Sequence, residues 1–162
     1  MPSNLYVLPA YGKAITLDDQ GVYCVFNQHD GAIQSVIQLL YENDDWTLYQ
    51  LQRTSDDDAL FWTVMSDSTQ CRLSSMTSVQ IAHYLAKPEY AEPRGAWQMM
   101  RNAQYGFGKF TPIFPDEEVC YAVALFTGDE LRGLVRLHKA DAQTTESVIA
   151  QTQPHAMLGA NT

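Results

Sequence analysis

The chain has 162 residues, 19 of them acidic against 10 Lys and Arg, a net charge of −9, and 46% hydrophobic and 11% aromatic content. These values exclude an intrinsically disordered acidic chain, and three Cys are too few, and odd in number, for a disulfide scaffold. The longest apolar run, Val119 to Phe126, is too short to cross a bilayer, and Met1 to Leu5 carry no signal-peptide pattern, so a cytoplasmic protein is expected, with one domain over residues 1–151 and a polar tail over 152–162.

In chain order, Leu5 to Leu8 reads as a short strand closed by Pro9. Lys13 to Leu17 and Val22 to Phe26 read as a hairpin around Asp18-Asp19-Gln20-Gly21. Ile33, Val36, Ile37, Leu40 and Tyr41 follow the spacing of an amphipathic helix, with Asp30 as N-cap and Asn43-Asp44-Asp45 as its end. Trp46 to Gln52, Leu60 to Met65 and Thr69 to Leu73 read as strands. Thr77 and Gln80 match a capping box, with Met76 and Ile81 at the staple positions, and this helix ends near Ala86 because Pro88 follows. Arg94 to Ala103 reads as a further helical segment. Tyr105 to Pro115 reads as a Gly/Pro-punctuated aromatic loop. Val119 to Phe126 and Leu131 to His138 read as a hairpin across a Gly128-Asp129 type II′ turn. Asp141 to Gln151 reads as a short helix. The order favours an α+β fold: a single antiparallel sheet of several hairpins, with two to four helices packed mainly on one face.

The charge is unevenly placed. Met1 to Asp67 hold ten acidic and two basic residues, and Ser68 to Thr162 nine acidic and eight basic. The acids cluster, most densely at Asp44-Asp45 and Asp56-Asp57-Asp58. Acidic doublets commonly mark solvated turns, but they also present carboxylates to a basic target. The cations gather later. Strand alternation from Leu131 sets Arg132, Arg136 and His138 on one face, and Arg94, Arg101 and Lys109 stand among Trp97, Tyr105, Phe107 and Phe110. Cations interleaved with aromatics suit an anionic ligand or single-stranded nucleic acid, though a net charge of −9 opposes nucleic-acid encounter. Trp97, Met99 and Met100 form a dense apolar run of interface-prone types.

Catalytic and metal signals are thin. No two of Cys24, Cys71 and Cys120 share metal-ligand spacing. Asp56-Asp57-Asp58 lacks the Gly and closing Glu of a calcium loop. Gly106-Phe107-Gly108-Lys109 lacks the flanking residues of a phosphate loop and breaks the RNA-recognition pattern at Lys109. A Cys–His site needs the two side chains to meet in space, with Cys24–His29 and Cys120–His138 as the pairs to consider. The sequence therefore points to a non-catalytic interaction protein of adaptor, chaperone, immunity or inhibitor type, without metal or cofactor. It would bind another protein, of basic or nucleic-acid-handling kind, through Asp44, Asp45, Asp56, Asp57 and Asp58 and through Trp97, Met99 and Met100, and two copies could pair by charge. A binder of nucleic acid or a small anion, through Arg94, Arg101, Lys109, Arg132, Arg136 and His138, is the alternative. An enzyme built on a Cys–His pair is the second.

Overall fold

The computed structural model describes residues 13–53, 59–66, 71–86, 95–114 and 116–150, the side chains of 148 and 149 excepted. A 3-10 turn (Leu17–Asp19) leads into β1 (Gly21–Phe26), β2 (Ile33–Glu42), β3 (Asp45–Arg53), β4 (Leu60–Val64) and β5 (Ser74–Ser75). Helix α1 (Ser78–Tyr84) follows. Then come β6 (Gly95–Arg101), β7 (Tyr105–Pro112), β8 (Cys120–Thr127), β9 (Glu130–Lys139) and helix α2 (Ala142–Ala150). The nine strands form one antiparallel sheet in the order β4-β3-β2-β1-β9-β8-β7-β6-β5. The expected α+β layout is thereby corrected: the described residues hold only two α-helices, both short, and are mostly one antiparallel sheet.

The largest correction is at β2. The helical spacing of Ile33, Val36, Ile37, Leu40 and Tyr41 belongs to a ten-residue strand. Its centre is apolar or buried on both faces: Ile37 and Leu39 point one way, and Gln38, 3% exposed, points the other. A strand covered on both sides loses its two-residue alternation and mimics a helix. Asn43 and Asp44 do not end a helix. Both have left-handed backbones (φ 52° and 66°) between the paired residues Glu42 and Asp45, the geometry of a two-residue type I′ hairpin. The expected helical segment from Arg94 to Ala103 is β6, and the expected aromatic loop is β7. Gly108 gave the impression of a loop, yet a Cβ there would lie 2.8 Å from Trp97 Cζ3, so the glycine lets the indole lie flat on the strand. The expected first hairpin arm, Lys13 to Leu17, is irregular chain entering the 3-10 turn.

Other readings hold. Thr77 and Gln80 form the capping box of α1 (Gln80 N–H to Thr77 Oγ1 3.2 Å; Thr77 N–H to Gln80 Oε1 2.8 Å). Gly128 alone of the Gly128-Asp129 pair has positive φ, as a type II′ turn requires. The short helix expected from Asp141 is α2, which begins one residue later, with the Asp141 carboxylate accepting from Thr144 N–H at 2.7 Å. The strand expected at Leu5 to Leu8, the tail 152–162 and part of the strand expected at Thr69 to Leu73 lie outside the described residues; the pairing nearby belongs to Leu73 and β5.

The sheet rolls up on itself. Trp46 of β3 bridges to Leu73, just before β5, through Leu73 N–H to Trp46 O at 2.8 Å. One apolar cluster accordingly draws Tyr23, Val25, Ile37, Leu39, Leu48, Met65, Leu73, Met100, Phe107, Val123 and Leu137 into the interior from both halves of the chain. A second, outer cluster lies under α1. There Ile81 packs with Met99, Ala124, Phe126 and Leu131. The outer face of β6–β9 is thus shielded by one helix, while the barrel interior supplies the main core.

Candidate functional site

One end of the barrel is plugged. Asp19, at the end of the 3-10 turn, is 3% exposed, and Lys109, on the inward face of β7 with Tyr105 and Phe107, is 7% exposed. Lys109 Nζ meets Asp19 Oδ2 at 2.8 Å and also donates to Ala14 O at 2.9 Å. Asp19 accepts further from Thr16 N–H (2.8 Å) and from the Tyr121 hydroxyl (2.8 Å), and Tyr23 OH donates to its backbone carbonyl. Burial pushes the Asp19 carboxyl up, but the Lys109, Thr16 and Tyr121 hydrogen bonds and the lysine charge outweigh it, so it sits below the usual value. Burial first, then the hydrogen bond to Asp19 and the Asp19 charge, push the Tyr121 hydroxyl well above the ordinary tyrosine range. Every polar group here has a partner, so the cluster locks the segment from Lys13 to Asp19 across the barrel end.

Around that plug the topology gathers acids from distant parts of the chain. Asp18 precedes β1, Glu42, Asp44 and Asp45 form the β2–β3 turn, Asp116, Glu117 and Glu118 lie between β7 and β8, and Asp141 follows β9. All are exposed except Asp45, which is half-buried. Among the described residues, Lys13, Arg72 and Lys139 are the cations at this end, and Lys139 is committed to Asp18 O. A cleft of about 390 Å³ opens beside the β2–β3 turn, lined by Glu42, Asn43, Asp45, Tyr49, Cys71 and Arg72 among others. Tyr49 OH donates to Glu42 Oε1 at 2.9 Å, and burial and that carboxylate raise its hydroxyl pKa. Arg72 sits 3.8 Å from Asp45, an exposed guanidinium against a half-buried carboxylate, a loose pair that an incoming cation can displace.

The opposite end is open. A cavity of about 340 Å³ is lined by Val25, Ile37, Met65, Val123, Leu125 and Val135 together with Gln34, Ser35, Gln50 and Tyr105.

The residues singled out from sequence fall in different places. Asp44 and Asp45 belong to the acidic end; Asp56, Asp57, Asp58 and Arg94 lie outside the described residues. Met99 and Met100 are 3% and 2% exposed, one under α1 and the other in the barrel, because neighbours on a strand face opposite ways and both faces of β6 are covered. Trp97 is half-buried against Phe110, ring centroids 5.1 Å apart. The three residues therefore form no surface patch. The cationic set is dispersed too. Lys109 is inside. Arg101 lies 3.7 Å over the Phe126 ring and bonds Tyr84 OH, Asn102 O, Ala103 O and Gly128 O, pinning α1 and the β8–β9 turn. Arg132 pairs with Glu130 and is the extra residue of a β-bulge, since Leu125 pairs with Gly133 and Phe126 with Leu131. The bulge breaks the expected alternation and turns Arg132 away from the face of Arg136 and His138. Those two stay exposed, with His138 edge-on to Phe26 at 5.1 Å.

Cys24 is the cross-strand partner of His138, a pairing that sequence reasoning missed because β1 and β9 are neighbours only in the folded sheet. Burial raises the Cys24 thiol pKa, the wrong direction for a nucleophile. Cys120 donates to Glu118 O at 3.6 Å. Among the described residues, no group of three or more His, Cys, Asp or Glu is placed to hold a metal ion, and no helix is long and apolar enough to cross a membrane. Asp19 and Tyr121 were also missed; a period-two reading of Tyr105 to Thr111 would have set Lys109 inside and called for a buried acid to meet it. Comparison with protein-family models, with curated proteins and with solved structures gives no match.

Proposed function

We propose that this is a non-catalytic interaction protein whose acidic end docks onto a basic surface of another protein. One observation carries the reading: exposed carboxylates from four separate stretches of chain converge on one end of the barrel, around a cleft bordered by Glu42 and Asp45. Such a surface steers a cationic partner and takes an Arg or Lys side chain into the cleft, in exchange for the loose Arg72 contact. A basic nucleic-acid-handling protein fits that chemistry. Three free thiols accord with a reducing, cytoplasmic setting.

The test is capture of a partner from the protein's own cell extract at low and high salt. The variant Glu42→Gln/Asp44→Asn/Asp45→Asn is compared with Asp129→Asn/Glu130→Gln at the other end of the barrel. A defined protein retained at low salt, lost with the first variant and kept with the second, supports the reading. Retention that ignores the first variant, or no salt-dependent partner, rejects it.

A further inference from the structure

We propose that the open end of the barrel is a binding site for a neutral, mostly apolar small molecule carrying one hydrogen-bonding group, such as a medium-chain alcohol or ketone. The cavity has about 340 Å³, within the range of small-ligand sites, and barrel mouths are a recurrent place for them. Its walls are chemically divided. Val123, Leu125 and Val135 of β8 and β9, with Val25 and Met65, offer aliphatic surface, while Ser35 and Gln50 on the neighbouring strands β2 and β3 offer hydroxyl and amide groups. Gln50 stands across from Ile37, so its amide lies level with the apolar wall. Among the described residues, no charged side chain lines the cavity, so a carboxylate or phosphate would find no counter-charge from them there. Leu125 is 37% exposed at the rim, an apolar lip reachable from water. Met65 supplies an adaptable thioether for shape fitting. The site lies at the end of the barrel opposite the acidic cleft and does not depend on the protein-docking reading.

The neutral fluorophore N-phenyl-1-naphthylamine is the first probe. Its emission is expected to rise and shift to the blue with micromolar affinity. 1-Nonanol should displace it, and nonanoate at neutral pH should do so at least tenfold less well. Ser35→Phe and Val135→Phe, each filling the cavity, should weaken binding at least tenfold with unfolding midpoints near that of the wild type. Should a filling variant not fold, titration of the native protein with 1-nonanol decides the matter, through the methyl resonances of Met65, Val123 and Val135. No dye binding, equal displacement by nonanoate, undiminished binding by a folded filling variant, or methyl shifts confined to other residues would each overturn the site.

Discussion

Removing the Lys109 ammonium would leave the Asp19 carboxylate buried with only Thr16 N–H and the Tyr121 hydroxyl to hold it. Breaking a buried pair from one side costs about 3–5 kcal/mol, whereas removing both charges costs far less. Lys109→Met is therefore expected to lower the unfolding free energy by about that amount. The double variant Asp19→Asn/Lys109→Met should lose clearly less than the sum of the two single changes, as read from urea unfolding of all four proteins. The pH dependence has a definite sign. The Asp19 carboxyl sits below its ordinary value in the folded state, despite its burial, because Lys109, Thr16 and Tyr121 hydrogen-bond its charged form. It thus contributes stability above the ordinary carboxylate range, and that contribution disappears as pH falls through the folded-state value. Acid unfolding of Asp19→Asn should accordingly show a shallower loss of stability below about pH 4 than the wild type, and an equally steep limb would contradict the assignment. Little of this was legible in the sequence. Lys109 sits between glycine and phenylalanine in a stretch that looks like a loop. Its inward direction follows only once that stretch is known to be a strand, and its partner lies 90 residues away.

Elements were legible where local chemistry alone determines them. The capping box of α1 and the Gly128 turn depend on neighbours within a few residues, and both stand in the structure. β2 and β6 were not legible, because strands covered on both faces carry no alternation to read. Their turns give sharper expectations. Asp44 holds φ 66° without being glycine. A non-glycine left-handed residue carries a penalty of about 1 kcal/mol, so Asp44→Gly should raise the midpoint of denaturant unfolding, and Asp44→Val should lower it. At β7 the glycine has a packing role instead of a conformational one. A Cβ at position 108 would lie 2.8 and 3.0 Å from two carbons of the Trp97 ring, so Gly108→Val must push the indole off the strand. Overpacking of this kind costs about 1–3 kcal/mol. Tryptophan emission should shift to the red as Trp97 gains solvent, and an unchanged spectrum with unchanged stability would show that the outer face of β6–β7 yields easily.

At the scale of the whole molecule the barrel depends on a narrow seam. Adjacent strands such as β8 and β9 share a full ladder, but among the described residues β3 meets the chain entering β5 at a single bridge, Trp46 to Leu73, near the bond from Met65 N–H to Leu48 O (2.9 Å). Asn102 holds the other side. It is 7% exposed in the turn between β6 and β7, and its side chain is used at both ends. Nδ2 donates to Met65 O and Cys71 O at 3.1 Å each, while Oδ1 accepts from the N–H groups of Gln104 and Tyr105 at 2.9 Å each. One buried amide thus ties the β6–β7 turn to Met65, just after β4, and to Cys71, two residues before the bridge at Leu73. No local pattern announces this, because an Asn before a turn looks the same whether it serves the turn alone or also a strand from elsewhere in the chain. Loss of the four bonds in Asn102→Ala should cost roughly 2–4 kcal/mol, counting the carbonyls left buried without a donor. Asn102→Asp should cost at least as much, since a carboxylate would face the two carbonyls that now receive N–H groups. Hydrogen exchange distinguishes a weakened seam from general destabilisation. In the wild type the amides of Leu73 and Met65 should exchange through local opening, faster than those in the middle of β8 and β9. In Asn102→Ala that gap should widen, with the seam amides speeding up by more than the fall in global stability explains. If both sets accelerate by the same factor, the barrel opens only as a whole, and the seam is not its weakest line.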